Sequence, residues 1–133
     1  MKKVAFIFPG QGSQTVGMGK DFFENSDIAK EMISKASARL GIDFEKLLFE
    51  ENENLGKTEF TQPAILLVSS IALAIFKEKC DITPEFVLGH SLGEFTALVA
   101  SGAIDYLDAI ELVHKRGLFM TAACSGGGAG MMA

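Results

Sequence analysis

Phe86-Val87-Leu88-Gly89-His90-Ser91-Leu92-Gly93-Glu94-Phe95-Thr96-Ala97-Leu98-Val99 joins an extended run to a helical one through a turn that leaves little room. Phe86 to Leu88 reads as a strand, and Ser91 to Ser101 as a helix that stops at Gly102. Between them, Gly89-His90-Ser91-Leu92-Gly93 fits the G-x-S-x-G elbow, which places a serine on a sharp strand-to-helix turn. Such a turn forces strained dihedrals on the serine and crowds its neighbours, so glycine suits positions 89 and 93. Ser91 would then stand at a helix N-terminus, where backbone N–H groups meet developing negative charge. The competing reading is a plain serine N-cap. The flanking strand and helix favour the elbow.

Upstream, Val4 to Phe8 is an apolar run closed by Pro9-Gly10, read here as a buried strand. The loop after it, Pro9-Gly10-Gln11-Gly12-Ser13-Gln14-Thr15-Val16-Gly17-Met18-Gly19, invites a phosphate-binding reading that fails on inspection. Thr15 occupies the third glycine of a dinucleotide fingerprint. Gly19-Lys20 lacks both the following Ser/Thr and the upstream glycine of a P-loop. A loop leaving the first strand at the sheet edge that carries the elbow has another use. It offers a backbone N–H beside the serine, and Gln11 is the natural donor.

Further along, Ser26 caps a helix whose apolar positions Ile28, Met32, Ile33, Ala36 and Leu40 run to Gly41. Phe44 to Phe49 is a short amphipathic turn. Thr61 with Pro63 starts a long buried helix ending near Lys79, and Asp105 caps a last helix to about Ala123. These elements define an α/β chain with a short parallel sheet flanked by helices. Two strands do not complete such a sheet. The final run, Ala129-Gly130-Met131-Met132-Ala133, begins like a strand and stops. The expected organisation is therefore one unit over 1–125 and the start of a second at 126–133.

Composition limits the function. With 133 residues, 48% apolar and 22% charged, the chain is an ordinary globular size and mixture. A net charge of -5 without a concentrated basic face argues against nucleic acid as a partner. Cys80 and Cys124 are too few and too far apart for a disulfide framework or a zinc site. They read as reduced thiols with buried structural roles in a cytoplasmic protein, and no metal site is expected. The apolar start is too short for a signal-peptide core. Pro63 to Phe76, 14 residues long, falls short of the roughly 20 needed to span a bilayer, so no membrane partner is expected.

Arg116 is the cation of interest on the last helix. It lies about 100° from the centre of the polar face and about 70° from the apolar one. Its helical neighbours Leu112, Phe119, Met120 and Ala123 offer no acid. A partly inward arginine without a local partner suggests a ligand anion as counter-charge, the alternative being a snorkelling side chain or a distant ion pair. His114 stands about 160° from Arg116 around the helix and reads as a surface histidine.

Phe8-Pro9-Gly10-Gln11-Gly12-Ser13-Gln14, Thr61-Gln62-Pro63-Ala64, Gly89-His90-Ser91-Leu92-Gly93-Glu94 and the helix around Arg116 resemble, in order and spacing, the malonyl-CoA:acyl carrier protein transacylase family. The resemblance runs from Val4 to Ala133 and covers about the first half of that family's catalytic module. It implies an α/β-hydrolase-like subdomain, broken off at the start of a smaller ferredoxin-like one. It implies transfer of malonyl from coenzyme A to the phosphopantetheine thiol of acyl carrier protein through a malonyl-Ser91 intermediate, in fatty acid biosynthesis. Leu92 and Gln11 would supply the oxyanion-hole N–H groups. Arg116 would hold the malonyl carboxylate, Gln62 would line the pocket, and His90 would lie beside the nucleophile. The coenzyme A thioester is substrate, with no resident cofactor. The family's catalytic histidine lies beyond Ala133, so the missing C-terminal half is itself an expected partner and the chain alone is expected to be inactive.

Two other readings stay open on the residues alone. A serine esterase or thioesterase of the α/β-hydrolase type uses the same elbow but gives its acyl group to water. A non-catalytic fragment would only bind its other half or the carrier.

Overall fold

The structure, a computed structural model, describes residues 2–130 and 132. Two strands, β1 (Ala5–Phe8) and β2 (Phe86–Gly89), pair in parallel with Ala5 opposite Phe86 and Phe8 opposite Gly89. Six helices surround them: α1 (Lys20–Asn25), α2 (Asp27–Leu40), α3 (Phe44–Phe49), α4 (Thr58–Lys79), α5 (Leu92–Ala100) and α6 (Tyr106–Ala123). Because the strands are parallel and end in register, the loop after β1 and the elbow after β2 leave the same edge of the sheet. That edge is where the candidate residues gather.

The main core is helical. Phe44, Leu48, Leu66, Leu67, Ile71, Leu92, Ile110 and Val113 are almost fully buried where α2 to α6 meet. A second, smaller core under the sheet joins Phe8, Leu73 and Ala97, with Phe6 edge-on to Phe76 at 5.4 Å. The long α4 is apolar enough to cross a membrane by length and composition. Its buried residues instead pack against α2, α5 and α6.

Capping follows the sequence closely. The side chains of Ser26, Asp43 and Asp105 accept backbone N–H groups at the starts of α2, α3 and α6, and Gly41 ends α2 at φ 66°. Four expectations are corrected. First, the strands are buried on one face only: Phe6 and Phe8 point at helices, whereas Ile7 (74% exposed), Phe86 and Leu88 cover the other face, against which no described element packs. Second, α4 begins at Thr58 rather than Thr61, so Pro63 lies inside the helix. The proline removes the N–H that would reach the Glu59 carbonyl, and the His114 ring takes its place, donating from Nδ1 at 2.7 Å. Third, that bond makes His114 a half-buried α4–α6 tie and not a surface residue. Fourth, Cys124 is exposed, because no described element lies across the last turn of α6, and Cys80, at the C-terminal end of α4, is only half-buried.

The short α1 has no buried residue and no apolar period, so no pattern in the sequence announces it. Residues 126–130 run without helix or strand, and Met131 and Ala133, the expected strand start, lie outside the described residues.

Candidate active site

Ser91 is the only non-glycine residue with positive φ among the described residues, at φ 52° and ψ −106°. That geometry costs of order 1–3 kcal/mol and persists only where the surroundings enforce it. Its side chain makes no capping bond to α5, so the plain N-cap alternative fails. The hydroxyl is exposed at the sheet edge instead.

The elbow fits because glycine stands at each close approach. A Cβ on Gly89 would lie 1.9 Å from the Gly93 carbonyl carbon, and one on Gly93 would lie 2.2 Å from the Phe8 oxygen. Both obstacles are backbone and cannot rotate away. Gly89→Ala is therefore expected to destabilise the fold by about 3 kcal/mol or more, read as a lower urea midpoint at unchanged slope. An unchanged midpoint would mean that the elbow relaxes.

The β1 loop reaches the same place. A Cβ on Gly10 would meet the His90 oxygen at 2.4 Å and the His90 ring nitrogen Nδ1 at 3.3 Å, so loop and elbow backbones touch. Ser13 folds the loop back through N–H and hydroxyl bonds to the Gly10 carbonyl, at 3.3 and 2.8 Å. Among the described residues, the Gln11 and Leu92 N–H groups make no hydrogen bond, although the Gly93 and Glu94 N–H groups are engaged by the elbow itself. Two free donors thus flank an exposed serine.

Arg116 projects from α6 into this corner. Its guanidinium donates to Ser91 Oγ at 3.2 Å and to Gln62 Oε1 at 2.7 Å, and lies over the Phe95 ring, 5.3 Å from the centroid. No carboxylate pairs with it among the described residues, whereas the exposed Arg39 binds both Asp108 and Glu111. The contrast separates the two cations: Arg39 is a surface tie between α2 and α6, and Arg116 is held by neutral partners with its charge unmatched.

Gln62 is fully buried behind Arg116, its Nε2 against the Met120 sulfur at 3.3 Å. It holds the arginine and does not face the open site. His90 is exposed beside the loop. The six expected residues Ser91, Leu92, Gln11, Arg116, Gln62 and His90 therefore gather at one corner, from two loops and three helices. Phe95 and Met120, which support Arg116 and Gln62, were not foreseen. Phe95 sits in the first turn of α5, directly after the elbow, and that position is the signal in the sequence that points to it. No cluster of metal-binding side chains occurs among the described residues.

An exposed serine on a strained turn stands here beside free N–H groups and an unmatched guanidinium, an arrangement with room for a ligand that carries negative charge. The chain belongs to the acyl transferase domain family, whose model matches residues 5–133. Within that family it resembles the malonyl CoA-acyl carrier protein transacylases. It is 47% identical to the one from Bacillus subtilis, over all of this chain and 42% of that protein. It is 46% identical to one from Staphylococcus aureus, over 92% of this chain and 39% of that one. The crystal structure of the transacylase from Helicobacter pylori superposes with a TM-score of 0.91 at 48% identity, covering 93% of this chain and 41% of that one. A malonyl-transacylase in complex with a type II polyketide synthase acyl-carrier protein superposes at 0.87 with 41% identity, covering 92% and 40%. The chain spans about two fifths of the length of these relatives.

Proposed function

We propose that this chain forms the nucleophile-bearing part of a malonyl-CoA:acyl carrier protein transacylase acting in the cytoplasm in fatty acid biosynthesis. Residues 1–125 belong to its α/β-hydrolase-like subdomain, and 126–133 lead into a smaller ferredoxin-like one. In the first step Ser91 Oγ attacks the thioester carbonyl of malonyl-CoA. The hydroxyl proton passes to a base outside these residues, the C–S bond breaks, and coenzyme A leaves as its thiol with that proton. In the second step the phosphopantetheine thiol of the carrier attacks the malonyl-serine ester. The C–O bond breaks and Ser91 recovers a proton. In both tetrahedral intermediates the oxyanion lies between the N–H groups of Gln11 and Leu92. His90 flanks the acyl group, and no resident cofactor takes part.

One observation carries this reading: the unmatched Arg116 guanidinium within hydrogen-bond distance of Ser91 Oγ. A hydrolase for uncharged esters has no use for a fixed cation there, while a malonyl carboxylate supplies the missing charge. The test is intact-protein mass spectrometry of the complete module after malonyl-CoA addition. One malonyl adduct is expected, and none in Ser91→Ala. An adduct that persists in the variant would place the nucleophile elsewhere.

A further inference from the structure

The loop that presents Gln11 is tied mostly to itself: Ser13 to the Gly10 carbonyl, and Gly12 N–H to Gln14 Oε1 at 2.8 Å. Among the described residues, two hydrogen bonds join this loop to distant elements: at its far end Gly17 N–H donates to the Leu48 carbonyl at 2.7 Å, and at the oxyanion donor itself Gln11 Nε2 donates to Thr58 Oγ1 at 3.1 Å. Thr58 is the first residue of α4, and its position is fixed from outside. A Cβ on Gly117 of α6 would fall 2.9 Å from the Thr58 backbone carbonyl oxygen and 2.6 Å from Glu59 Cα, so the two helices are in backbone contact there. Glu59 is held to α6 twice more, by His114 at its carbonyl and by the Thr121 hydroxyl at its carboxylate, 3.0 Å away. One turn further on, Gln62 holds Arg116.

We infer that Thr58 is a positioning residue for oxyanion stabilisation: its hydroxyl fixes the Gln11 side chain and thereby aims the Gln11 backbone N–H at the Ser91 carbonyl adduct. The first turn of α4 then sets the distance between two groups that must act together, the oxyanion donor through Thr58 and the anion-binding arginine through Gln62. A flexible glycine loop cannot hold an N–H on target by itself, and a donor displaced by about 1 Å loses roughly a hundredfold in rate. The inference rests on the acyl-transfer reading and adds to it a residue that touches neither substrate nor nucleophile.

The test uses the complete module with Thr58→Val, which keeps the shape and removes the acceptor, and Thr58→Ser, which keeps the hydroxyl. Single-turnover acylation of Ser91 and steady-state kcat should fall about 10- to 100-fold in Thr58→Val, with KM for malonyl-CoA within about twofold of the parent. Thr58→Ser should regain most of the rate. Gln11→Met, which retains the backbone N–H but not the side-chain donor, should lose as much as Thr58→Val, and the double variant no more than either. Parental acylation in Thr58→Val, additive losses in the double variant, or a rate loss that follows a lowered melting temperature would each overturn the role. A parent that forms no malonyl adduct would overturn the acyl-transfer reading, and this inference with it.

Discussion

Arg116→Ala should abolish the preference for malonyl over acetyl groups, with kcat/KM for malonyl-CoA falling more than a hundredfold while that for acetyl-CoA changes severalfold at most. The guanidinium is already oriented before any ligand arrives, because Gln62 fixes one nitrogen at 2.7 Å and the Phe95 face supports the plane. It can therefore meet a carboxylate with two parallel N–H donors without paying again in side-chain entropy. Its removal leaves the malonyl carboxylate partly desolvated and alone. Breaking a buried pair typically costs about 3–5 kcal/mol, and the half-exposed setting of Arg116 argues for the lower end, still above a hundredfold. The measurement is the ratio of kcat/KM for the two thioesters in parent and variant. Equal losses for both would show that the arginine only supports the serine, through its 3.2 Å bond to Oγ.

Legibility in the sequence followed locality. The elbow, the two strands, the caps at Ser26 and Asp105 and the helix stop at Gly41 are set by residues within a few positions of one another. Arg116 was legible because its lack of an acid is also a local fact. Contacts closed over long sequence distances left no such trace. Nothing near Thr58 announces that it meets Gln11, 47 residues away. Nothing near His114 announces a carbonyl freed by Pro63, so its pairing with α4 leaves no local trace. The start of α4 at Thr58 is hidden in the same way. A proline inside a helix looks like a helix start unless the partner for the orphaned carbonyl is known. Cys124 was misjudged because helical periodicity says which face points inward, not whether another element is there to cover it.

Residues 1–133 alone should transfer malonyl about a thousandfold or more slowly than the complete module. On the proposed reading Ser91 and the Gln11 and Leu92 N–H groups are present in the segment, but no described residue is placed to accept the Ser91 proton. The partner of Ser91 Oγ is Arg116, and a guanidinium donates hydrogen bonds but has no lone pair with which to take a proton. His114 spends Nδ1 on the Glu59 carbonyl against the Phe60 ring. His90 forms part of the turn itself, with its carbonyl bonded to the Gly93 N–H at 2.9 Å and its ring beside Gly10. Without a base, serine is a weak nucleophile, although an oxyanion hole with substrate binding still supplies roughly 10³–10⁴-fold over water in triad deletions elsewhere. A trace of acylation is therefore compatible with this account. The packing points the same way. Among the described residues nothing covers the face of the two-stranded parallel sheet that carries Ile7, Phe86 and Leu88, and Phe119 is 73% exposed on α6. A parallel sheet is stable when both faces are covered, so this surface should drive self-association of the segment in dilute buffer. Two measurements decide the matter together. Light scattering should find the segment larger than a monomer, and transfer to carrier protein should appear only when the remaining part of the module is supplied. A monodisperse segment that transfers malonyl at the full rate would mean that one of its own two histidines reaches Ser91 after all.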